Sequence, residues 1–451
     1  MRKILLGTTA VVGAALLSTG AFAQGTTAGT GSIAPGSGAS GQGATLTAAP
    51  APRLAGAGGL TVRLGGYFAF TGAIVQDDND RANRIGASNS AARSRYDFRN
   101  DMELTVFVDG RAANGMTYGA VLEFQMDNGT GTAGDNTNVS MDEAYGFVAL
   151  PNLGRIYFGQ EDGAANLLQI RAPGAGALGG DGEWDEFINP NGLFAGTYLT
   201  SGISDGSDAT KIGYLSPQFA GFDFGISYAF NGGEGERTDL SNGVPQRNRT
   251  TRENEIQAGA RYRGTFGPVG FSAGVGGIWA DSPQNITDTR QLRQQQIAAY
   301  FVGAQVAAYG FAVGAEYAFG QYNGTSMGLT ALNPGLDDSW HYLVGATYTM
   351  GPVVFGAIFG QAEQDNGSAS VGGVIRDLDD RKHTIWGLGV LYNVAPGLGL
   401  FAAYNNINDD NIPTSAPRDA RYGAGGTTLA NFSGQTTRTI NIGVAGIRIA
   451  F

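Results

Sequence analysis

Residues 95–108 read RYDFRNDMELTVFV. Tyr96, Phe98, Met102, Leu104, Val106 and Val108 share one parity, while Arg95, Asp97, Arg99, Asp101, Glu103 and Thr105 share the other. Successive side chains of a strand point to opposite faces, so this stretch is a strand with one apolar side and one charged side. A helix with one buried stripe repeats every ~3.6 residues and would mix the two sets. Such a strand belongs between an aqueous space and an apolar medium. FDFGISYAF, residues 222–230, repeats the pattern: Phe222, Phe224, Ile226, Tyr228 and Phe230 oppose Asp223, Gly225, Ser227 and Ala229.

Sixteen segments of this kind run from residues 60–71 at one end of the series to 437–451 at the other. Their connections alternate in length. Short ones fall at 151–152, 216–221, 264–268, 351–352 and 395–397, and long polar ones at 72–94, 162–208, 231–251, 364–382 and 406–436. Tight turns at one end and long loops at the other are the layout of an outer-membrane barrel, with the turns periplasmic and the loops extracellular. Hydrocarbon leaves no partner for open sheet edges, so the expected fold is all-β, a closed antiparallel transmembrane β-barrel of 16 strands. An even strand number puts both barrel ends on the periplasmic side. Tyr67, Phe68, Tyr157, Phe158, Tyr348 and Phe355, near strand ends, are the candidates for interfacial aromatic girdles.

Composition agrees. Glycine supplies 74 of 451 residues, about twice its usual share, and charged residues are 15%, well below the roughly 25% of soluble domains. The chain opens with Arg2 and Lys3, an apolar stretch, and Ala21-Phe22-Ala23, so residues 1–23 read as a secretory signal peptide. Residues 24–59 are nearly all Gly, Ala, Ser, Thr and Pro and read as a low-complexity leader; a segment contacting the cell wall is the rival reading. The barrel domain is then 60–451. No later apolar run approaches the ~20 residues of a transmembrane helix. With no cysteine, disulfides and Cys-ligated metals are excluded. The net charge of −11, which becomes −13 once Arg2 and Lys3 leave with the signal, argues against nucleic acid as a partner.

Four stretches carry a family resemblance: GYFAF at 66–70, TYGAVLEFQ at 117–125, LGRIYFGQEDGA at 153–164 and KIGYLSPQFAGFDFGISYAF at 211–230. They resemble the general diffusion porins of Gram-negative outer membranes, of the alphaproteobacterial type. The resemblance implies a sixteen-stranded homotrimeric barrel whose third long loop, the one after Glu161, folds inward and narrows the pore. It also implies that the C-terminal Phe451 is read by the barrel assembly machinery. Expected surroundings are outer-membrane lipid and lipopolysaccharide, and the expected traffic is small hydrophilic solutes and ions.

The inward loop reads GAGALGGDGEWDEFINPNG at 174–192 and clusters Asp181, Glu183, Asp185 and Glu186 around Trp184. As a constriction, these acids would face basic side chains on the wall and set a transverse field. By face parity Arg63, Arg95 and Arg99 are the wall candidates, with Arg155 and Lys211 as further lumen-facing cations. The excess of acids predicts a weak cation preference. The bland alternative is a solvated loop.

Other motifs carry less. Gly174, Gly176 and Gly179 spell G-x-G-x-x-G, but no strand, helix and distant acid surround them as a dinucleotide site requires. His341 and His383 each begin a strand and read as interfacial polar residues rather than catalytic bases. The acidic stretches 76–80 and 377–380 could offer oxygen ligands to a structural calcium ion, without EF-hand spacing. The expectation is a passive channel, with no enzyme activity and no cofactor. Its rivals are a channel selective for sugar or phosphate, a non-conducting structural or adhesin barrel, and a secreted β-propeller; the last would need a repeat of about forty residues, which is absent.

Overall fold

A computed structural model describes residues 53–55, 59–78, 94–125, 139–176, 178, 184, 187–188, 209–232, 252–282, 294–322, 331–371, 373–412 and 436–451. The strands in chain order are β1 (Arg53–Ala55), β2 (Thr61–Asp77), β3 (Tyr96–Arg111), β4 (Thr117–Gln125), β5 (Ser140–Leu150), β6 (Gly154–Gln160), β7 (Thr210–Leu215), β8 (Phe222–Asn231), β9 (Glu253–Phe266) and β10 (Val269–Asp281). They continue as β11 (Ile297–Ala308), β12 (Phe311–Gln321), β13 (Ser339–Met350), β14 (Val353–Gln364), β15 (Ser368–Val371), β16 (Val374–Asp377), β17 (Arg381–Ala395), β18 (Leu398–Ile412) and β19 (Thr436–Ala450). Among the described residues one short helix, α1 (Ala164–Leu168), follows β6.

Sixteen of these strands, β2–β14 and β17–β19, each pair antiparallel with two neighbours. The ring closes where β19 meets β2, with Ile447 opposite Phe70, so the sheet has no open edge in the membrane. At the end of this seam the Phe451 N–H donates to the Gly66 carbonyl at 3.0 Å and the Gly66 N–H donates to the Phe451 carbonyl at 3.1 Å. Below that point β1 pairs with β2, Arg53 opposite Arg63, on the edge that β19 has left. Three residues of the leader therefore take part in the sheet; the rest of residues 24–58 and the signal lie outside the described residues.

The alternation is that of a soluble sheet turned inside out. On β8, Phe222, Phe224 and Ile226 are 60%, 55% and 51% exposed, while Asp223 and Ser227 are buried. Large apolar side chains face outward and polar ones face the lumen, as lipid outside and water inside require. The short connections lie at the end that carries Phe451, the periplasmic end. In one of them, Tyr309 and Gly310 have φ of 52° and 84° between the paired Ala308 and Phe311. Two positive φ values make a two-residue turn whose twist matches its strands, and Gly310 suits the second position.

The structure corrects several sequence expectations. The connections expected to start at 72 and 406 start later, because the alternation runs on through Ala73, Val75 and Asp77 on β2 and Ile407, Asp409 and Ile412 on β18. The loop expected at 364–382 holds a hairpin of its own, β15 with β16. Adjacent residues cannot both face lipid, so the proposed aromatic girdle divides. Phe68, Phe158, Tyr348 and Phe355 face outward, whereas Tyr67 and Tyr157 are buried in the lumen. There Tyr67 donates to Asp101 at 2.8 Å, and Tyr157 to the Asp162 carbonyl at 3.1 Å.

Candidate channel lumen

One side of the lumen is charged. Asp101, Glu103 and Thr105 on β3, Glu123 and Gln125 on β4 and Glu143 on β5 all face inward and are buried. Register carries the carboxylates from strand to strand. Glu103 opposes Gln125, Thr105 opposes Glu123, and at an irregularity of the ladder Glu123 stands opposite Asp142 and Glu143 of β5. Since Ala144 opposes Gln160, Glu143 lies level with Glu161 at the root of the inward loop. Polar neighbours hold the row: Thr105 donates to Glu103 at 3.4 Å and Gln125 to Asp142 at 2.8 Å. Arg448 acts on Glu103, and Arg155 and Lys211 act on Glu161.

The expected basic wall is divided among three places. Arg63 pairs with Asp109 at 2.9 Å toward the periplasmic end and lies over Phe107. Arg99 opposes Thr71 and is half-buried; its register position is eight residues along the sheet from that of Arg63, about 27 Å at the usual rise. Arg95, just before β3, is exposed beyond them. Arg155, buried on β6, lies over Phe147 at 4.7 Å, and Lys211 on β7 donates to the Glu161 carbonyl. Only Arg155 and Lys211 are brought together, around Glu161. Asp181, Glu183, Asp185 and Glu186 lie outside the described residues. Their neighbour Trp184 is fully buried and packs with Phe187 and Ile188 in an apolar cluster.

The opposite side of the lumen is apolar, which the sequence reading missed. Leu343, Ile358, Ile385, Ile407, Ile442 and Val444 face inward from β13 to β19 and pack with Ala172, Ala175, Leu178 and Trp184 of the inward loop. A second inward patch on β10–β12, including Ile278, Ala299 and Phe301, packs with Ala165 of α1. The available signal was strands such as TIWGLGVL at 384–391, apolar at both parities, the mark of a strand covered on both faces.

The loop's first limb, residues 161–175, is buried throughout and pinned at its root. The Ala164 N–H donates to the Ser227 hydroxyl at 3.0 Å, and Arg261 donates to the Leu167 carbonyl at 3.3 Å while pairing with Asp223 at 2.6 Å. Nearer the extracellular mouth lies a buried charge ladder. Arg381 donates to Asp409 at 2.8 Å, His383 lies 3.2 Å from the same carboxylate, and Arg438 donates to Asp77 at 2.7 Å. Both histidines face inward rather than the interface; His341 shares a 2.8 Å hydrogen bond with the Tyr322 hydroxyl. Their strands begin at the mouth, but parity turns them into the barrel.

Of the two stretches considered for calcium, 76–80 has Asp77 engaged by Arg438 and Asp78 accepting from the Thr439 N–H at 3.0 Å. In 377–380, the Asp379 and Asp380 carbonyls accept from Asn366 and Asn411. Among the described residues no group of three or more His, Asp or Glu side chains is placed to hold a metal ion.

A family model described as Gram-negative porin matches residues 7–412. In fold the chain is similar to the anion-selective porin from Comamonas acidovorans, with a TM-score of 0.54, 16% identity and coverage of 87% of this chain and 100% of that one. The outer membrane channel DcaP of Acinetobacter baumannii gives 0.53, 14%, 88% and 99% in the same terms. OmpT, an outer membrane protein of Vibrio cholerae, gives 0.50, 14%, 88% and 99%. At these identities the likeness is one of fold. No curated protein sequence matches the chain.

Proposed function

The chain belongs to the Gram-negative porin family and is an outer-membrane channel protein, and on that footing we propose that small hydrophilic solutes and ions diffuse passively through it, with a weak preference for cations. The observation that carries the reading is the inward carboxylate row Glu103, Glu123 and Glu143, running across three neighbouring strands of a closed barrel. Charged groups held inside a membrane barrel call for water there, and an acidic wall raises the local concentration of cations. The reading is of a channel and not an enzyme, working as a homotrimer in lipid and lipopolysaccharide and inserted through recognition of Phe451. The anion selectivity of the Comamonas porin is that protein's own; the Glu103, Glu123 and Glu143 row favours the opposite sign.

Proteoliposome swelling tests passive diffusion. Liposomes carrying the refolded protein should swell in isotonic sugars at rates that fall steadily with sugar mass. A rate high for one sugar and near zero for others of similar size would contradict it and favour a substrate-selective channel.

One observation favours a second reading, a non-conducting barrel. The inward loop packs over the apolar side of the lumen, and on the charged side Glu103, Glu123 and Glu143 are almost entirely covered. No swelling from a folded, heat-modifiable barrel would select it.

A further inference from the structure

The limb of the inward loop from Leu168 to Gly176, with Leu178, lies on glycines. Across eight consecutive strands the inward positions beneath it are four cross-strand glycine pairs: Gly225 with Gly259, Gly274 with Gly303, Gly314 with Gly345, and Gly356 with Gly389. Each faces a particular part of the limb. A Cβ on Gly259 would stand 3.3 Å from the Leu168 Cβ, one on Gly274 3.3 Å from the Ile170 nitrogen, and one on Gly356 2.6 Å from the Ala175 nitrogen. At Gly303, Gly345 and Gly389 an added Cβ would overlap the main-chain carbonyl oxygens of Ile170, Pro173 and Ala175. Those atoms are backbone and cannot swing aside as the end of a long side chain can. Glycine inside a strand weakens it and marks a place where another backbone comes close.

We propose that this glycine track is a dedicated seat that fixes the limb as a permanent lining, so that solutes pass only along the charged wall of β3–β7. The inference rests on the channel reading above and deepens it by naming the residues that position the constriction loop. Seated, the limb occupies the β8–β17 side of the lumen and covers the apolar wall with Ala172, Ala175 and Leu178. Lifted from its seat by even a methyl group, it can move only toward the charged wall. The wall glycines are therefore positioning residues: they touch no solute, and they decide how much room solutes have.

Two sets of variants test this. In Gly303→Ala/Gly345→Ala the ladder hydrogen bonds remain available, and unitary conductance should fall about twofold or more as the limb enters the path. Gly443→Ala, on β19 where an added Cβ meets nothing within 4 Å, should conduct as the parent does. The second set is Leu168→Cys/Gly259→Cys, in a chain without other cysteines. At Gly259, unlike Gly303 and Gly345, an added Cβ meets a side-chain carbon first and not a limb carbonyl; its 3.3 Å spacing from the Leu168 Cβ is just under the roughly 3.5–4.5 Å of a disulfide, so the pair should cross-link nearly completely with the limb in place. Conductance should then be the same before and after reduction. A folded double-alanine variant that conducts like the parent, or a tether that changes conductance on reduction, overturns the seat. Should the double-alanine variant fail to fold, the tether decides alone. Should the parent itself not conduct, the channel reading fails, and cross-linking yield still reports on the seat: poor yield in the folded barrel overturns it.

Discussion

The Arg438 guanidinium on β19 engages both carboxylate oxygens of Asp77 on β2, and each side chain is 1% exposed. The pair spans the seam where the two ends of the chain close the barrel. Removing one member leaves the other charged and buried, which typically costs about 3–5 kcal/mol. Asp77→Asn or Arg438→Met should therefore lower the temperature at which the folded band is lost in a gel-shift assay. The double variant Asp77→Leu/Arg438→Leu should recover most of the loss, because an apolar pair leaves no stranded charge.

Asp380 gives a pH prediction outside the membrane. Burial raises its carboxyl above the ordinary aspartate value, Glu363, Asp365 and Asp337 add to the shift, and Lys382 opposes it. The folded loop then holds this proton more tightly than the unfolded chain does. The stability it contributes is present below the unfolded value of about 3.9 and is lost as pH rises through the higher folded value. Asp380→Asn should increase amide exchange protection of the β15–β16 hairpin at about pH 7 and leave it unchanged at about pH 3. Equal protection at both pH values would show that Asp380 does not strain the loop.

Wall and loop carboxylates can be separated. Glu103→Gln/Glu123→Gln/Glu143→Gln should move the reversal potential in a salt gradient away from the cation side. Neutralising Asp181, Glu183, Asp185 and Glu186 together tests the loop's share. If only the loop variant moves the potential, the loop and not the β3–β5 wall sets selectivity.

Gly310 tests the turn chemistry. Its φ of 84°, and the Thr349 carbonyl oxygen that would stand 2.9 Å from an added Cβ, make Gly310→Ala strained. A loss of about 1–2 kcal/mol is expected, read as faster unfolding in urea with conductance intact. An unaffected unfolding rate would mean that the hairpin end carries little stability.

The barrel was legible because parity is a local property. The stretch 95–108 displays its lipid and lumen faces without reference to any other strand, and the alternating connection lengths then give the closure. What parity could not supply was what fills the lumen. Ile385, Ile407 and Ile442 look like lipid-facing residues by composition, and only the packing of Ala172, Ala175, Leu178 and Trp184 in one cluster with them shows why they point inside. The glycine pairs were equally hidden, since each glycine on its own suggests flexibility and only the register aligns them under one loop. Face parity gave Arg63, Arg95 and Arg99 as wall candidates, with Arg155 and Lys211 as further lumen-facing cations, but their positions along the barrel depend on strand stagger, which no single segment encodes.

The most direct measurement is single-channel current and zero-current potential of the refolded protein in a planar bilayer under a potassium chloride gradient. Discrete, stable current steps with a modest potential of cation-selective sign are the predicted result. A folded barrel that passes no current, or one whose potential has the anion-selective sign, would contradict the account.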